Sequence, residues 1–251
     1  MIIVKNSEQI ALMKIAGRIT AEALLVARDA IRPGVSTKEV DSKIQRYIEK
    51  WGATPSFLGY GGFPGSACIS INDEVIHGIP SKTRFIEEGD IVKVDVGARY
   101  RGYNGDSART FAVGKVSDEA LRLISVTERS FYEAMNAAKA GGRIGDIGFA
   151  VENFVISNGF SVVRDYVGHG LGAELHEEPN IPNYGKAGRG ARLYPGMTLA
   201  IEPMVNAGNY NVKVLKDKWT VVTADGSLSA HYENSILITD SDPVILTVAE
   251  E

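Results

Sequence analysis

The sequence is poor in cysteine and in long apolar runs, and it carries no excess of basic charge. Cys68 is the only cysteine among 251 residues, so an internal disulfide is excluded. No apolar run approaches the roughly 18 residues that a membrane-spanning helix needs, and the first residues lack the pattern of a signal peptide. A formal net charge of −4 gives no indication of the basic surface that binds nucleic acid or an anionic membrane. We therefore expect a cytoplasmic protein that binds neither.

The chain does have the composition of an ordinary globular protein with a sizeable core. Hydrophobic residues make up 44% of it and charged residues 23%. Its length exceeds that of an average domain, but mixed helix and sheet folds of this size are common. Because nothing in the sequence is typical of a linker, we expect one domain over residues 1–251.

A hairpin over residues 93–109 brings two aspartates close together. If it is symmetric about Tyr100 and Arg101, Asp95 and Asp106 lie opposite each other with both side chains on one face. Like charges at such positions repel, and a cation between them would remove the repulsion. Two solvated carboxylates are the alternative that this stretch alone leaves open.

The pattern of apolar residues and caps predicts two pairs of helices. Asn6, with Gln9 three residues on, caps a helix that reaches Ala30 and buries a stripe of Ile15, Ile19, Ala23 and Val26. Ser36 and Glu39 form a capping box for a second helix that stops at Gly52. Two further helices cover residues 117–140 and 144–158, and a strand over 197–201 ends in Glu202.

The second pair of helices repeats the first with a constant offset. Five pairs of positions are each 107 residues apart: Gly34 and Gly141, Val40 and Ile147, Gly52 and Gly159, Gly89 and Gly196, and Asp95 and Glu202. We infer an α+β fold of two helix-helix-strand halves, residues 1–114 and 115–251, related by a pseudo-twofold axis. The equivalent carboxylates would lie at its centre.

Three further residues join the two aspartates as candidate metal ligands. Glu202 and Glu233 interrupt apolar strands, and buried acids are rare unless they are paired or bound to metal. His169 lies between two glycines that allow close backbone approach. Four carboxylates and one imidazole are too rich in oxygen for a structural zinc site, but they suit two divalent ions that share bridging carboxylates.

These five residues, each in its local setting, resemble the metal ligands of type I methionine aminopeptidases. The family has the pseudo-symmetric pita-bread fold of the creatinase and aminopeptidase group, and the chain is similar to its minimal, bacterial-type form. The resemblance implies a metal-dependent hydrolase that removes the N-terminal methionine from nascent proteins when the second residue is small. It extends along essentially the whole chain, through the segments 66–72, 77–80, 168–170, 176–179, 201–203 and 232–233.

The resemblance also implies a role for each ligand. Asp95 would chelate one ion and His169 the other, while Asp106 and Glu233 would bridge the two. Glu202 would be a ligand and would accept the proton of the attacking water. Each ion could be Co, Mn, Fe, Ni or Zn, because ligands of this kind accept them all.

Two of the remaining histidines match catalytic positions of the family. His176 would donate a hydrogen bond to the scissile carbonyl or its oxyanion, and His77 would contact the scissile amide nitrogen. His231 matches no catalytic role, so we expect an ordinary surface or core residue there.

Other positions match a substrate pocket and a structural ion. The pocket would enclose the methionine side chain, because aromatic rings and a small polarisable sulfur suit an unbranched thioether. Asn72 and Ser229 match positions that help hold a monovalent cation in relatives, and ordinary polar turn residues are the alternative. Besides His77 and His176, the pocket would consist of Tyr60, Phe63, Cys68, Leu175 and Trp219.

Two other functions remain open at this point. A related pita-bread peptidase that cleaves before proline would share the five ligands, although such enzymes usually carry a further N-terminal domain. A relative that has lost catalysis and only binds a partner would typically lack several ligands. We expect a monomer that acts on protein N-termini, and association with the ribosome stays open.

Overall fold

The computed structural model describes residues 2–250, and the four predicted helices are present in it with ends within three residues of the predicted ones. They are α1 (Ser7–Ala30), α2 (Thr37–Lys50), α3 (Asp118–Ala137) and α4 (Ile144–Ser157). Asn6 caps α1 through the predicted reciprocal pair with Gln9. Ser36 caps α2 by accepting a hydrogen bond from the backbone of Glu39.

The buried face of α1 is wider than the predicted stripe. Ile19 and Ala23 are buried as expected, but Ile15 and Val26 lie only at the margin. The helix packs against strands along one side and against α2 along another, so a single 3.6-residue stripe underestimates its contact. The additional buried residues are Met13, Ala16, Gly17, Thr20, Ala21, Leu24, Ala27 and Ala30.

Fifteen short strands in the described part of the chain form four sheets. In chain order they are β1 (Thr54–Pro55), β2 (Ala67–Ile71), β3 (Glu74–Ile76), β4 (Ile91–Tyr100), β5 (Tyr103–Ala112), β6 (Ser161–Val162), β7 (Gly168–Gly170), β8 (Glu177–Ile181), β9 (Thr198–Ile201), β10 (Met204–Asn206), β11 (Val212–Val214), β12 (Val221–Thr223), β13 (Ser229–His231), β14 (Asn234–Leu237) and β15 (Val244–Ile245).

Each half contributes one main sheet with two helices on it. In the first half β4 is central, with β5 along one edge and β2 and β1 end to end along the other, and α1 and α2 bury its apolar side chains. In the second half the order is β15-β14-β9-β7-β8, and α3 and α4 cover that sheet. Two small three-stranded sheets, β13-β10-β6 and β11-β12-β3, complete the fold.

The 107-residue offset recurs in the backbone. Gly34 donates to the carbonyl of Ile86 over 2.8 Å, and Gly141 donates to the carbonyl of Leu193 over 2.9 Å. Both glycines have left-handed φ angles, +84° and +88°. Isolated β-bridges also occur at equivalent places, Ser36 with Phe85 and Arg143 with Arg192. These repeated details support the inferred division into two related halves.

The β4–β5 hairpin has a different register from the predicted one. Asp95 pairs with Ala108, and Asp106 pairs with Gly97, so the two aspartates are diagonal rather than directly opposite. The turn is at residues 101–102, both with positive φ, which is the two-residue connection that matches strand twist. A shift of two residues keeps side chains on the same face, so the aspartates still share one side of the sheet.

Hydrogen bonds fasten this hairpin to the second half. Ala108 and Glu233 exchange backbone hydrogen bonds of 3.3 and 3.0 Å. The backbone N–H of Asp106 donates to Ser235 Oγ over 2.9 Å. The chain that carries one aspartate is thereby held beside the chain that carries Glu233. Between residues 2 and 250, no helix has the length and apolarity needed to cross a membrane.

Candidate active site

A cavity of about 210 Å³ lies where the two halves meet. It has an acidic end formed by residues in strands or directly next to them, and an apolar end formed mostly by loops. Every candidate ligand, both matched histidines and every candidate pocket residue from the sequence lines it. The lining residues are Phe57, Tyr60, Gly61, Phe63, Cys68, His77, Asp95, Asp106, His169, Leu175, His176, Glu202, Trp219 and Glu233.

The acidic end brings five potential ligands around one space. One ligand atom each from Asp106, His169 and Glu233 lies within 4.8 Å of the others. His169 Nε2 is also 3.6 Å from Glu202 Oε1 and 3.8 Å from Asp106 Oδ2. Asp95 lines the same cavity without joining that closest group of three.

The acidic end lacks positive charge of its own to balance its carboxylates. Asp95 Oδ1, Asp106 Oδ1 and Glu233 Oε1 are buried and have no hydrogen-bond partner among residues 2–250. Burial, with a further contribution from Glu202, raises the pKa of Asp95 to about 7, and burial raises the pKa of Glu202 to about 8. Burial and the neighbouring carboxylates raise the pKa of Asp106 and Glu233 well above their usual range. Orphaned oxygens in such a cluster fit divalent cations.

His169 is held as a neutral imidazole. Its Nδ1 is 2.8 Å from the carbonyl oxygen of Gly170, and because a carbonyl only accepts, Nδ1 carries the proton. Nε2 therefore presents a lone pair to the carboxylates. Burial lowers the pKa of His169 to about 3, so the ring stays uncharged near neutral pH. Gly170 has no side chain to prevent close packing beside His169, and its carbonyl orients the His169 ring.

Glu233 is positioned through its backbone. Arg109 Nη1 donates to the carbonyl of Glu233 over 2.6 Å, and Ser107 Oγ donates to the same oxygen over 2.6 Å. The Arg109 guanidinium also lies over the ring of Tyr232, 4.1 Å from its centroid. The sequence did not identify Arg109 as a site residue, because a backbone contact 124 positions away leaves no local pattern.

The two matched histidines lie between the acidic and apolar ends. His176 Nδ1 is 2.8 Å from the hydroxyl oxygen of Tyr60, and its ring centroid is 4.3 Å from that of His169. His77 has a left-handed φ of 59° and contacts Trp219 edge to face at 6.4 Å. Burial lowers the pKa of His77 to about 4 and also lowers that of His176. Both rings are therefore neutral near pH 7.

The apolar end is a compact cluster. Phe57, Phe63, Cys68 and Leu175 are buried against one another, with Trp219 beside them. Burial, together with nearby carboxylates, raises the pKa of Cys68 well above its usual range, so the sulfur remains a thiol. Leu175 is almost fully buried and closes this end with an aliphatic side chain.

Two lining residues were not among the sequence candidates. Phe57 precedes the glycine-rich stretch over 58–66 and joins the cluster only because that loop folds back. Gly61 has a left-handed φ of 56°, and a Cβ there would lie 3.4 Å from the Trp219 ring. Only the clustering of aromatics and glycines before Ser66 pointed to this loop.

His231 is closer to the site than expected. It is buried, and its Nε2 is 3.6 Å from Glu202 Oε2. Neither ring nitrogen has a hydrogen-bond partner within the described residues. Thr110 fixes its backbone, with hydrogen bonds of 2.8 and 2.9 Å between the two residues. His231 is thus a core residue, as the sequence allowed, but its ring faces a candidate ligand, which the sequence did not indicate.

Known proteins resemble the chain over its full length. The model of metallopeptidase family M24 matches residues 11–240. A methionine aminopeptidase of Clostridium acetobutylicum is 54% identical, with all of both chains covered. The crystal structure of a Thermotoga maritima methionine aminopeptidase superposes with a TM-score of 0.98 at 47% identity, again over all of both chains. A prolidase from Pyrococcus furiosus has a TM-score of 0.80 at 26% identity, and the match covers 99% of this chain and 66% of the prolidase.

The contact with Glu202 predicts that the ring of His231 matters for activity. His231→Ala removes the group beside Glu202, and we expect at least a tenfold loss of kcat with methionyl peptides. His231→Gln should retain most activity, because a glutamine amide can place a polar N–H group beside Glu202 from a similar position. Steady-state kinetics of the two variants measure the difference. An alanine variant with unchanged kcat would contradict the prediction.

The raised carboxylate pKa values predict how metal binding depends on pH. In the metal-free fold Asp95 and Glu202 keep protons that the unfolded chain releases near pH 4. The free energy of unfolding therefore falls with rising pH until these groups ionise in the fold at about pH 7 to 8. Bound metal ions displace those protons and remove the loss. Adding Mn²⁺ to stripped protein should therefore raise Tm more at pH 8 than at pH 6.

Differential scanning calorimetry at constant ionic strength measures this difference. The neutral state of His169 means that the imidazole does not compete for protons in this range. A metal-induced Tm shift that is equal or smaller at pH 8 would show that the carboxylates are already ionised in the metal-free fold.

Proposed function

The chain belongs to metallopeptidase family M24 and, within it, to the methionine aminopeptidases, and we propose that the cavity between its halves removes the N-terminal methionine of new proteins whose second residue is small. The fold is the predicted α+β pita-bread fold, and the chain is a divalent-metal-dependent hydrolase. The observation that carries the proposal is a single cavity in which an acidic end with orphaned oxygens adjoins an apolar end, with two neutral histidines between them.

The acidic end would hold two divalent ions. Asp95 and His169 would each bind one ion, and Asp106 and Glu233 would bridge. When bound, the ions would polarise the scissile carbonyl and lower the pKa of the attacking water. The metal in the cell would be Mn, Fe, Co, Ni or Zn, since oxygen and imidazole ligands accept all of these and availability decides.

Glu202 would accept the proton of the attacking water. Its carboxylate lines the cavity beside Asp106 and Glu233, and burial favours the protonated form of such a group, which suits a general base. His231 and His169 lie 3.6 Å from its two oxygens and would keep it aimed at the cavity. Glu202 would subsequently return the proton to the leaving amine.

The histidines would bind the peptide bond. If Tyr60 donates its hydroxyl proton to Nδ1 of His176, Nε2 of His176 carries the other proton and can donate to the carbonyl oxygen. This bond would strengthen as the carbonyl becomes an oxyanion. His77, rigid in its left-handed conformation, would contact the scissile nitrogen.

The apolar end would select methionine. Phe63, Cys68 and Leu175 offer a narrow wall of rings, a thiol and an aliphatic side chain to an unbranched thioether. A second residue with a large side chain would meet the rim formed by Tyr60 and His176. The substrates would be N-termini of newly made proteins in the cytoplasm, with the chain acting as a monomer and with ribosome association open.

The two alternatives have less support. The prolidase is half as similar in sequence as the aminopeptidases, and this chain corresponds to only part of it. A relative without catalysis would have no need to keep buried, unpaired carboxylates, which cost stability. Here all five potential ligands and both matched histidines remain around the cavity.

Metal and substrate dependence test the proposal together. Chelation should abolish hydrolysis of Met-Ala-Ser, and Mn, Fe or Co should restore it, because the ligands are oxygen- or imidazole-based. The same loaded protein should not cleave an Xaa-Pro dipeptide at a comparable rate. Full activity in thoroughly stripped protein, or a preference for Xaa-Pro, would require a different function.

The histidines should separate into ligand and hydrogen-bond donors. His169→Ala removes a ligand, so metal content and activity should fall together. His176→Ala should keep the metal but lose about 3 kcal/mol of transition-state stabilisation, roughly 10²- to 10³-fold in kcat, with a smaller change in KM. His77→Ala should also keep its metal.

Metal analysis of these variants with kinetics on Met-Ala-Ser measures both effects. Lys216→Ala, at an exposed position away from the cavity, is the control. If His176→Ala emptied the site while His169→Ala kept it filled, the two roles would have to be exchanged.

A further inference from the structure

A lysine is buried beneath the candidate active site. Lys93 lies on β4 two residues before Asp95, and only 1% of its surface is exposed. Its Nζ donates a hydrogen bond to the backbone carbonyl of Asn72 over 2.7 Å. A lysine is rarely buried to this extent unless its amino group has a partner, so this contact is the reason for its position.

The carbonyl that Lys93 contacts already has a second donor. Ser229 N–H donates to the same Asn72 oxygen over 3.1 Å. A carbonyl oxygen has two lone pairs, and both are therefore used inside the protein. The Asn72 side chain is occupied as well, because it donates to Asp90 over 2.7 Å and accepts from Ile91 over 3.0 Å.

Ser229 is equally occupied. Its Oγ donates to Asn206 Oδ1 over 2.8 Å and lies 3.2 Å from the carbonyl oxygen of Val205. Asn72 and Ser229 are the two residues that the family resemblance offered to a structural monovalent cation. The Asn72 carbonyl oxygen, which would be the ligand there, already accepts hydrogen bonds from Lys93 Nζ and from Ser229 N–H, so neither of its lone pairs is left for an ion.

We propose that the amino group of Lys93 takes the place of the structural monovalent cation, so that this chain needs neither K⁺ nor Na⁺ to join its two halves. Lys93 would do so as a positioning residue. It links β4 to the turn between β2 and β3 at the carbonyl of Asn72, the same oxygen to which Ser229 of β13 donates.

The surrounding charges are consistent with an amino group at this place. Glu74, Asp73 and Asp90 favour the ammonium form, whereas burial is the largest effect and lowers the pKa of Lys93 to about 7. An N–H donor to Asn72 persists in both protonation states. The hydrogen bond from Lys93 to the Asn72 carbonyl therefore forms whether the amino group is charged or neutral.

Three site-bearing segments meet at this contact. β4 continues from Lys93 to Asp95, the turn at Asn72 leads through β3 to His77, and β13 leads to Glu233. The Asn72 carbonyl oxygen thus joins the three segments, with the Lys93 amino group as the link from β4 and Ser229 N–H as the link from β13, and these segments carry two candidate ligands and one candidate catalytic histidine. The proposal concerns how these segments are held, and it does not depend on which peptide is cleaved.

The first test uses the unaltered protein. Tm is measured in KCl, NaCl and choline chloride at one ionic strength, with metal-stripped and Mn²⁺-loaded protein. We expect the same Tm in the three salts for each form. A saturable rise of Tm with K⁺ or Na⁺ over choline would overturn the proposal, whatever the activity of the protein.

The second test removes the amino group. Lys93→Met keeps most of the side chain's length, and it should lower Tm and create a response in which K⁺ or Na⁺, but not choline, restores part of the loss. Lys216→Met, at an exposed position, should change neither property. An unchanged Tm in Lys93→Met, or an equal loss in all three salts, would overturn the replacement of an ion by Lys93. If Lys93→Met does not fold, the comparison of salts with the unaltered protein decides alone.

Discussion

The burial of four carboxylates around one cavity is the constraint on which the rest of the structure depends. Taking even one ionised acid out of water costs several kcal/mol, and here four carboxylates line one cavity, three of which, Asp95, Asp106 and Glu233, have a buried oxygen without a partner in the described residues. The fold tolerates this cluster because the surrounding backbone is held by hydrogen bonds that do not use the carboxylate oxygens. Ala108, Ser107 and Arg109 all bind the backbone of Glu233, which leaves its side chain available. The backbone hydrogen bonds thus stabilise the fold, and the carboxylate oxygens without partners stay available to cations.

Much of the framework was predictable because it follows from local rules. The capping pair of Asn6 and Gln9 and the cap at Ser36 fixed two helix starts. The 107-residue offset was visible because both halves need a glycine with positive φ at the same points, as at Gly34 and Gly141. A position that needs a positive φ favours glycine, so the requirement is visible in the sequence. The same requirement repeated at a constant offset indicates a repeated fold.

The errors came from features that no local rule determines. The hairpin register depended on which two residues form the turn, and Arg101 adopts a left-handed conformation that sequence preferences disfavour. Asp95 and Asp106 still share one side of the sheet, because a shift of two residues preserves the face. His231 and Arg109 were missed for another reason. Their importance lies in contacts with Glu202 and with the backbone of Glu233 that form only when the halves come together.

The pseudo-twofold arrangement explains why the site lies between the halves rather than within one of them. Asp95 and Glu202 occupy equivalent strand positions, so each half brings one acid to the common centre. Two equal halves alone would give a symmetric acidic cluster with the same surroundings on both sides. The asymmetry comes from residues whose positions 107 away carry unlike side chains: His169 corresponds to Gly62, and Tyr60 and Phe63 of the apolar end correspond to Val167 and Gly170. The acidic end therefore adjoins an apolar end, with His77 and His176 between them. Both halves supply acids to the common centre, and the loop with Tyr60 and Phe63 makes the two sides of the cavity chemically different.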